Sequence, residues 1–324
     1  VTVPVVIDTD GGVDDAAALW WAVTNPALEV VAVTIVWGNV ELEVATTAVL
    51  AVLAAAGRLD IPVAVGERGP IQPAPALRRA TFVHGEDGLG GTAPVRPDVE
   101  PVSRDAVAHL AGVVASRPGE VSVVTIGPLT NLAHALRRFP HVARDVHSLV
   151  VMGGSAATEG NAMPLGEANV AHDPIAAAEV LSAPWAEPPL VVGLDATYRA
   201  TLTDAEFSLL AEHRTPAAAF LDAPLRFYRA AGGAFTDPEC PCHDLLAVMA
   251  LADPGVITDA PVLPVAVDCG GGPAWGTTVV DRRHVRSHGR VRPAGEAEGF
   301  SACRVALDAD AGAFRRAVRS LFGG

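Results

Sequence analysis

The chain has 324 residues, 50% of them apolar, and carries 37 acidic against 23 basic side chains, a formal net charge of -14. That balance disfavours a nucleic-acid partner, because phosphate recognition needs an excess of cationic side chains. No apolar run reaches the length of a membrane span and no basic segment precedes a cleavable apolar stretch, so no membrane partner and a cytoplasmic location are expected. All the basic residues are arginine, and the four cysteines (Cys240, Cys242, Cys269, Cys303) are too sparse for a disulfide framework in a chain of this length.

In chain order, Val3–Ile7 (VPVVI) reads as a buried strand and Asp14–Val23 as a helix with acids in its first turn. Leu28–Val36 is a second strand, followed by a helix over Glu41–Ala56 and a short strand at Pro62–Val65. The long stretch from Glu67 to Val102, rich in Gly, Pro and Arg, reads as a loop, and loops of that length are often functional. Val121–Ile126 is the next strand, then a helix over Pro128–Arg138, a strand at Ser148–Met152, a helix from Pro174 to Leu181 and a strand at Leu190–Leu194. Thr203 to Ala252 reads as two or three successive helices, a lobe near the sheet edge. Pro261–Val267, Thr277–Asp281 and Cys303–Leu307 return to strand, and Ala311–Leu321 closes with a helix. Continuous apolar strands separated by helices predict an α/β fold: an open, mainly parallel sheet covered on both faces, in one domain over residues 1–324 with a helical lobe at about 203–252. The arginine-rich stretch Arg282–Arg292 reads as a solvated loop or hairpin.

Asp10, Asn39, Gly127 and Gly153-Gly154 all fall just past the carboxyl ends of predicted strands, where open α/β sheets bind ligands. The sequence VVIDTDGGVDDAAAL places Asp8, Asp10, Asp14 and Asp15 around a Gly11-Gly12 turn. Helix capping accounts for one or two acids there, not four. Like charges this close disfavour each other's ionisation unless something positive sits among them, and carboxylates suit a hard divalent cation. Asp-x-Asp-Gly after an apolar strand also resembles the aspartyl-phosphate motif of haloacid-dehalogenase-like phosphatases. There Asp8 would be the nucleophile and a basic residue, usually lysine, its partner, but this chain has no lysine and the tandem Asp14-Asp15 is foreign to that pattern.

Other polar groups carry two readings each. His243-Asp244 is either an N-cap of a buried helix or part of a site. Asn161, Glu167 and Asn169, in GNAMPLGEANVAHD, are either a polar surface loop or a set of groups gripping hydroxyls. His84, in HGEDGLGG, is either solvated or functional. Cys240-Pro-Cys242-His243 lacks the well-spaced fourth ligand of a zinc site.

Together, DTDGGVDDAAAL, WGNV, HGEDGLGG, TIGPLTNLA, VMGG, GNAMPLGEANVAHDP and HDLLAV resemble, in order and spacing, the inosine–uridine-type nucleoside hydrolases, from about Val3 to beyond Asp281. The resemblance implies an N-glycosidase that splits ribonucleosides into base and ribose. It implies one Ca2+, held by Asp10, Asp15, Asp244 and the backbone carbonyl of Ile126, with a water and the ribose 2'- and 3'-hydroxyls completing the coordination. Asp10 would be the general base, with Asn39 holding the water or the nearby sugar. Asp14, Asn161, Glu167 and Asn169 would bind the ribose, and His243, with His84, would face the base. The implied partners are a small nucleoside and further copies of the chain, as a homodimer or homotetramer. A catalytically inactive nucleoside- or ribose-binding protein is the non-enzymatic alternative. Departures from the family pattern are Gly11 for Pro, Trp37 before Gly38, Ala168 for an aromatic and Cys242 before His243; Trp37 and Ala168 are expected to reshape the pocket.

Overall fold

Short β-branched runs build the centre of the computed structural model, which describes residues 2–72, 77–232, 240–287, 289–295 and 298–323. The strands are β1 Val3–Thr9, β2 Leu28–Ile35, β3 Val63–Val65, β4 Ser122–Thr125, β5 Leu149–Met152, β6 Leu190–Val192, β7 Thr201–Leu202, β8 Cys240–Pro241, β9 Ile257–Asp259, β10 Val262–Val267, β11 Thr278–Val280, β12 Ser301–Val305 and β13 Asp308–Ala309. Nine of them form one sheet in the order β11-β10-β12-β6-β5-β4-β1-β2-β3; β7 with β8 and β9 with β13 make two small ribbons. β10 runs antiparallel to both its neighbours, and the other pairs of the large sheet are parallel. The fold is thus the α/β architecture with a mainly parallel sheet that the strand–helix alternation predicts.

β1 shows why the strands read as continuous apolar runs. Val5 and Ile7 belong to the core on one face of the sheet and Val6 to the core on the other, each with no exposed surface. Each such side chain contributes about 1.5–3 kcal/mol by leaving water. Helices Val13–Thr24, Leu42–Ala55 and His243–Ala252 cover the first face, and Ala106–Ser116, Thr130–Arg138 and Pro174–Ser182 the second.

Register fixes where the chemistry lies. Asp8 of β1 stands opposite Thr34 of β2 and Thr125 of β4, so the three strands end level. Asp10, Asn39 and Gly127 therefore emerge together at the carboxyl edge. His243–Ala252 packs on Val13–Thr24, which brings His243-Asp244 to the same edge across about 230 residues of chain.

Differences from the sequence expectation are local. The stretch from Thr203 holds three helices, Asp204–Ala211, Pro216–Gly232 and His243–Ala252, and the last is a core helix, with Leu245 to Ala250 all buried. Residues 233–239 of that stretch, and 73–76 of the long loop, lie outside the described residues. The long loop carries one helical turn, Thr81–His84. Helix Ala106–Ser116 was not anticipated. The strand expected at Cys303–Leu307 is β12, Ser301–Val305, because pairing with β10 starts at Ser301 and Leu307 instead donates its N–H to Asp259. Arg282–Arg292 is an exposed segment with a short turn at Arg283–Arg286, and His288 within it lies outside the described residues. No helix among the described residues is long and apolar enough to cross a membrane.

Candidate active site

The turn after β1 gathers its carboxylates by short hydrogen bonds. Asp15 accepts the Thr9 hydroxyl at 2.5 Å and the Gly12 amide at 2.8 Å, capping the first turn of Val13–Thr24 with its own carboxylate. Asp10 accepts the Asn39 amide at 2.8 Å through Oδ2 and the Asn39 side-chain Nδ2 at 3.1 Å through Oδ1; the same Nδ2 lies 3.4 Å from Asp15. Gly38 is required by this approach, since a Cβ there would overlap Asp10 Oδ2. Gly11 has φ 76°, which a proline, fixed near −65°, cannot adopt; the Gly-for-Pro departure therefore accompanies a different turn.

Asp14, Asp15 and Asp244 each offer an oxygen within 4.8 Å of the others, and all three are buried. Burial, and secondly the Asp15 charge, pushes Asp14 up to about 7. Burial followed by neighbouring carboxylates holds Asp10 and Asp244 well above the ordinary range. Among the described residues no arginine lies within ion-pair distance of any of the four acids; the only partner is His84, 3.9 Å from Asp14. Four buried carboxylates without a cation are an uncompensated charge, and an all-oxygen donor set fits a hard divalent metal ion. The cluster is suited to a metal.

Above it opens a cavity of about 980 Å3, lined among others by Asp14, Asn39, His84, Ile126, Asn161, Glu167, Asn169, His243 and Asp244. The predicted site residues thus converge from six separate stretches of the sequence, while Asp10 and Asp15 are buried and do not line the cavity. Glu167 accepts the amides of Gly154 (2.9 Å), Asn169 (2.9 Å) and Val170 (3.1 Å), capping helix Ala168–His172, while burial holds its carboxyl above its ordinary value. Asn169 donates to the carbonyls of Ile126 (3.3 Å) and Met152 (3.2 Å), so the Ile126 carbonyl faces the cavity already partnered by that amide. Asn161, more exposed, accepts the Ala168 amide at 2.9 Å.

The opposite wall is aromatic. His84 accepts the Val13 amide on Nδ1 at 3.1 Å, and burial holds its pKa down at about 4. His243 has Nδ1 2.7 Å from the Thr197 hydroxyl and, mainly through burial and secondly through His84, also sits at about 4. Both rings are neutral at neutral pH. Tyr228 lies tilted against His84 with ring centres 5.4 Å apart and reaches Asp14 with its hydroxyl at 3.4 Å; Tyr198 meets His243 edge-on. Neither tyrosine was singled out by the sequence. Tyr228 lies mid-helix in Pro216–Gly232, and only the docking of that helix onto Thr81–His84 gives it a role.

Several expectations change. Asp8 does not line the cavity: Thr34 (2.5 Å) and Asn131 (2.8 Å) hold its Oδ1 inside the sheet, so it cannot act as the nucleophile that the phosphatase reading requires. Cys242, not His243, is the N-cap residue of His243–Ala252, and it makes no side-chain cap. Among the described residues, Cys240 and Cys242 join no three-ligand metal cluster. Trp37 does not line the cavity either; its indole N–H donates to Thr130 at 3.0 Å and its ring packs edge-on against His172, which does line it.

An α/β sheet whose carboxyl edge holds a buried aspartate cluster beneath a cavity of about 980 Å3 has its ligand site where open α/β sheets place it. The family description "Inosine-uridine preferring nucleoside hydrolase" matches residues 5–316. The chain is 37% identical over 284 residues to the inosine-uridine preferring nucleoside hydrolase of Leishmania major, covering 87% of this chain and 88% of that protein. It is 37% identical over 320 residues to the non-specific ribonucleoside hydrolase RihC of Salmonella paratyphi B, covering 98% and 97%. Among solved structures, a plant nucleoside hydrolase, the PpNRh1 enzyme, superposes with a TM-score of 0.91 at 32% identity over all of both chains. The chain belongs to the inosine-uridine preferring nucleoside hydrolase family and is an N-glycosidase.

Proposed function

We propose that the chain hydrolyses the N-glycosidic bond of ribonucleosides to free base and ribose, with Ca2+ held by Asp10, Asp15, Asp244 and the Ile126 carbonyl. The observation that carries this reading is the buried group Asp14, Asp15 and Asp244, with oxygens within 4.8 Å of one another, beside a cavity that Asp14 and Asp244 line together with two neutral histidines; Asp10, outside that three-acid group, is buried next to it and shares Asn39 Nδ2 with Asp15. The ion would supply positive charge that keeps the carboxylates ionised, acidifies the attacking water and binds the ribose diol. Asp10, fixed on both oxygens by Asn39, takes the proton from water as it attacks the anomeric carbon. Asp14 and Asn169 grip the 2'- and 3'-hydroxyls, and Glu167 with Asn161 the remainder of the sugar, so binding energy is directed into distortion at the reacting carbon.

The transition state is a cationic, oxocarbenium-like sugar with a departing base. His243 Nδ1 lies 2.7 Å from the Thr197 hydroxyl; in the tautomer this role requires, the hydroxyl donates to Nδ1 and the ring proton stands on Nε2 for the leaving base. His84, accepting the Val13 amide on Nδ1, likewise keeps its proton on Nε2, and with Tyr228 it forms the wall that sets base preference. The test is a panel of ribonucleosides, including inosine and uridine as the names of relatives suggest, with ribose release measured in calcium and after chelation. Ribose release lost on chelation and restored by calcium is expected. Nucleoside binding without ribose release would replace this reading with the non-catalytic one.

A further inference from the structure

In the HGEDGLGG motif the proposed function uses His84 alone, yet the most heavily bonded side chain there is Asp87. One carboxylate oxygen of Asp87 accepts the amides of Leu89 (2.9 Å) and Gly91 (2.8 Å), and the other that of Ala93 (2.6 Å). These three bonds close a loop with positive φ at Gly85, Gly88, Gly90, Gly91 and Ala93, conformations a free chain would not hold together. Two of the bonds bracket Gly90, whose own amide donates to the His84 carbonyl at 2.8 Å. Leu89 anchors the loop with no exposed surface, and Gly88 lies so close to the Gly11 carbonyl that a Cβ would meet it at 2.5 Å. The loop is therefore seated on the carboxylate turn itself.

We propose that Asp87 is a positioning residue: by holding Gly90 it holds the backbone of His84, and so keeps His84 Nδ1 on the Val13 amide with the rest of the ring turned to the base. Asp87 touches neither substrate nor metal in this scheme. Its influence passes through one bond, Gly90 N–H to His84 C=O, and one side chain. The proposal rests on His84 facing the base, and the test separates the two.

Asp87→Ala should lower kcat/KM for the best ribonucleoside by about 10- to 100-fold, the scale of a misplaced active-site group. Asp87→Asn, which can keep the two bonds on one oxygen and lose the third, should cost about 2- to 12-fold. In a His84→Ala background the Asp87→Ala change should add less than about twofold, because its route is already gone. Independently of activity, exchange of the Val13 amide in Asp87→Ala should speed up by about tenfold or more, while that of Ala16, bonded to the Gly12 carbonyl at 3.0 Å, stays protected. Additive losses in the double variant, or a Val13 amide as protected in Asp87→Ala as in the unsubstituted protein, would overturn the proposal. If the unsubstituted protein hydrolyses no ribonucleoside, the proposed function falls, and Val13 exchange alone decides on Asp87.

Discussion

Removing calcium should make folding stability depend on pH in a direction the site dictates. Asp14 titrates at about 7 instead of 3.8, and Asp10 and Asp244 stand well above 3.8 as well. A carboxyl raised in the folded state holds a proton that the unfolded chain has released. Its stabilising share is full below pH 3.8 and is lost as pH rises through the folded value, at about 1.4 kcal/mol per pH unit. His84 and His243 act oppositely: lowered from 6.5 to about 4, they add stability as pH rises from 4 to 6.5 and contribute no further slope above that. The window from pH 6.5 to 8 therefore leaves the raised acids, among them Asp8, which burial pushes up to about 7 away from the cluster and whose share is the same with and without calcium. Asp14, at about 7, would by itself cost the metal-free protein about 0.8 kcal/mol across the window, or about 2 °C in Tm at roughly 2 °C per kcal/mol, and any share of Asp10 and Asp244 has the same sign. Calcium competes with the protons of the cluster but not with that of Asp8, so the loaded protein should lose less than the metal-free one, and the calcium-induced rise in Tm should grow with pH. Differential scanning fluorimetry on chelator-dialysed protein, with and without calcium, reads both. A metal-free Tm that does not fall over this window, with an equal calcium shift at its two ends, would refute the electrostatic reading of the cluster.

Asp10→Asn should lower kcat by about 10²- to 10⁴-fold and weaken calcium binding by calorimetry; near-normal turnover would remove Asp10 as the base. 2'-Deoxynucleosides should be poorer substrates by about 5- to 150-fold, since a lost hydroxyl leaves a buried partner unpaired, and equal rates would contradict the assigned sugar contacts. His243→Ala should slow nucleosides by about 10²- to 10⁴-fold while sparing a p-nitrophenyl riboside, whose leaving group needs no proton; equal losses on both would make His243 a structural residue.

Much of the site was legible because it is local. Asp10, Asp14 and Asp15 lie within one turn after one strand, and acids crowded at the end of a buried β-branched run call for a cation among them. Asn39 and Gly127 were legible through β2 and β4, since strand ends mark the edge where ligands bind, whereas Ile126 entered only through the family resemblance. What escaped depends on packing between distant segments. Tyr228 is an unremarked aromatic until Pro216–Gly232 docks on Thr81–His84. Asp87 reads as a loop acid until its three amide bonds are seen. Trp37 was misplaced for the converse reason: a large side chain beside Gly38-Asn39 suggests a pocket wall, but Thr130 offers its indole N–H an acceptor behind the cavity. Helix Ala106–Ser116 escaped because Ala, Val and Gly fill it without a distinctive period.

The neutrality of the two histidines and the excess of acids answer the same chemical demand. With one divalent ion bound as proposed, the four buried carboxylates Asp10, Asp14, Asp15 and Asp244 would leave two negative charges in the site. That residue of charge suits a sugar becoming cationic, because electrostatic stabilisation is strongest where water is excluded and the groups are already fixed. A protonated imidazole on the facing wall would cancel part of it. Burial, which holds His84 and His243 at about 4, prevents this and leaves each ring a donor without a charge. In the proposed scheme the leaving base would be met by a hydrogen bond while the sugar still faced a net negative floor. Had either histidine titrated near 7, assistance to the base and stabilisation of the sugar would oppose each other at the pH where both are needed.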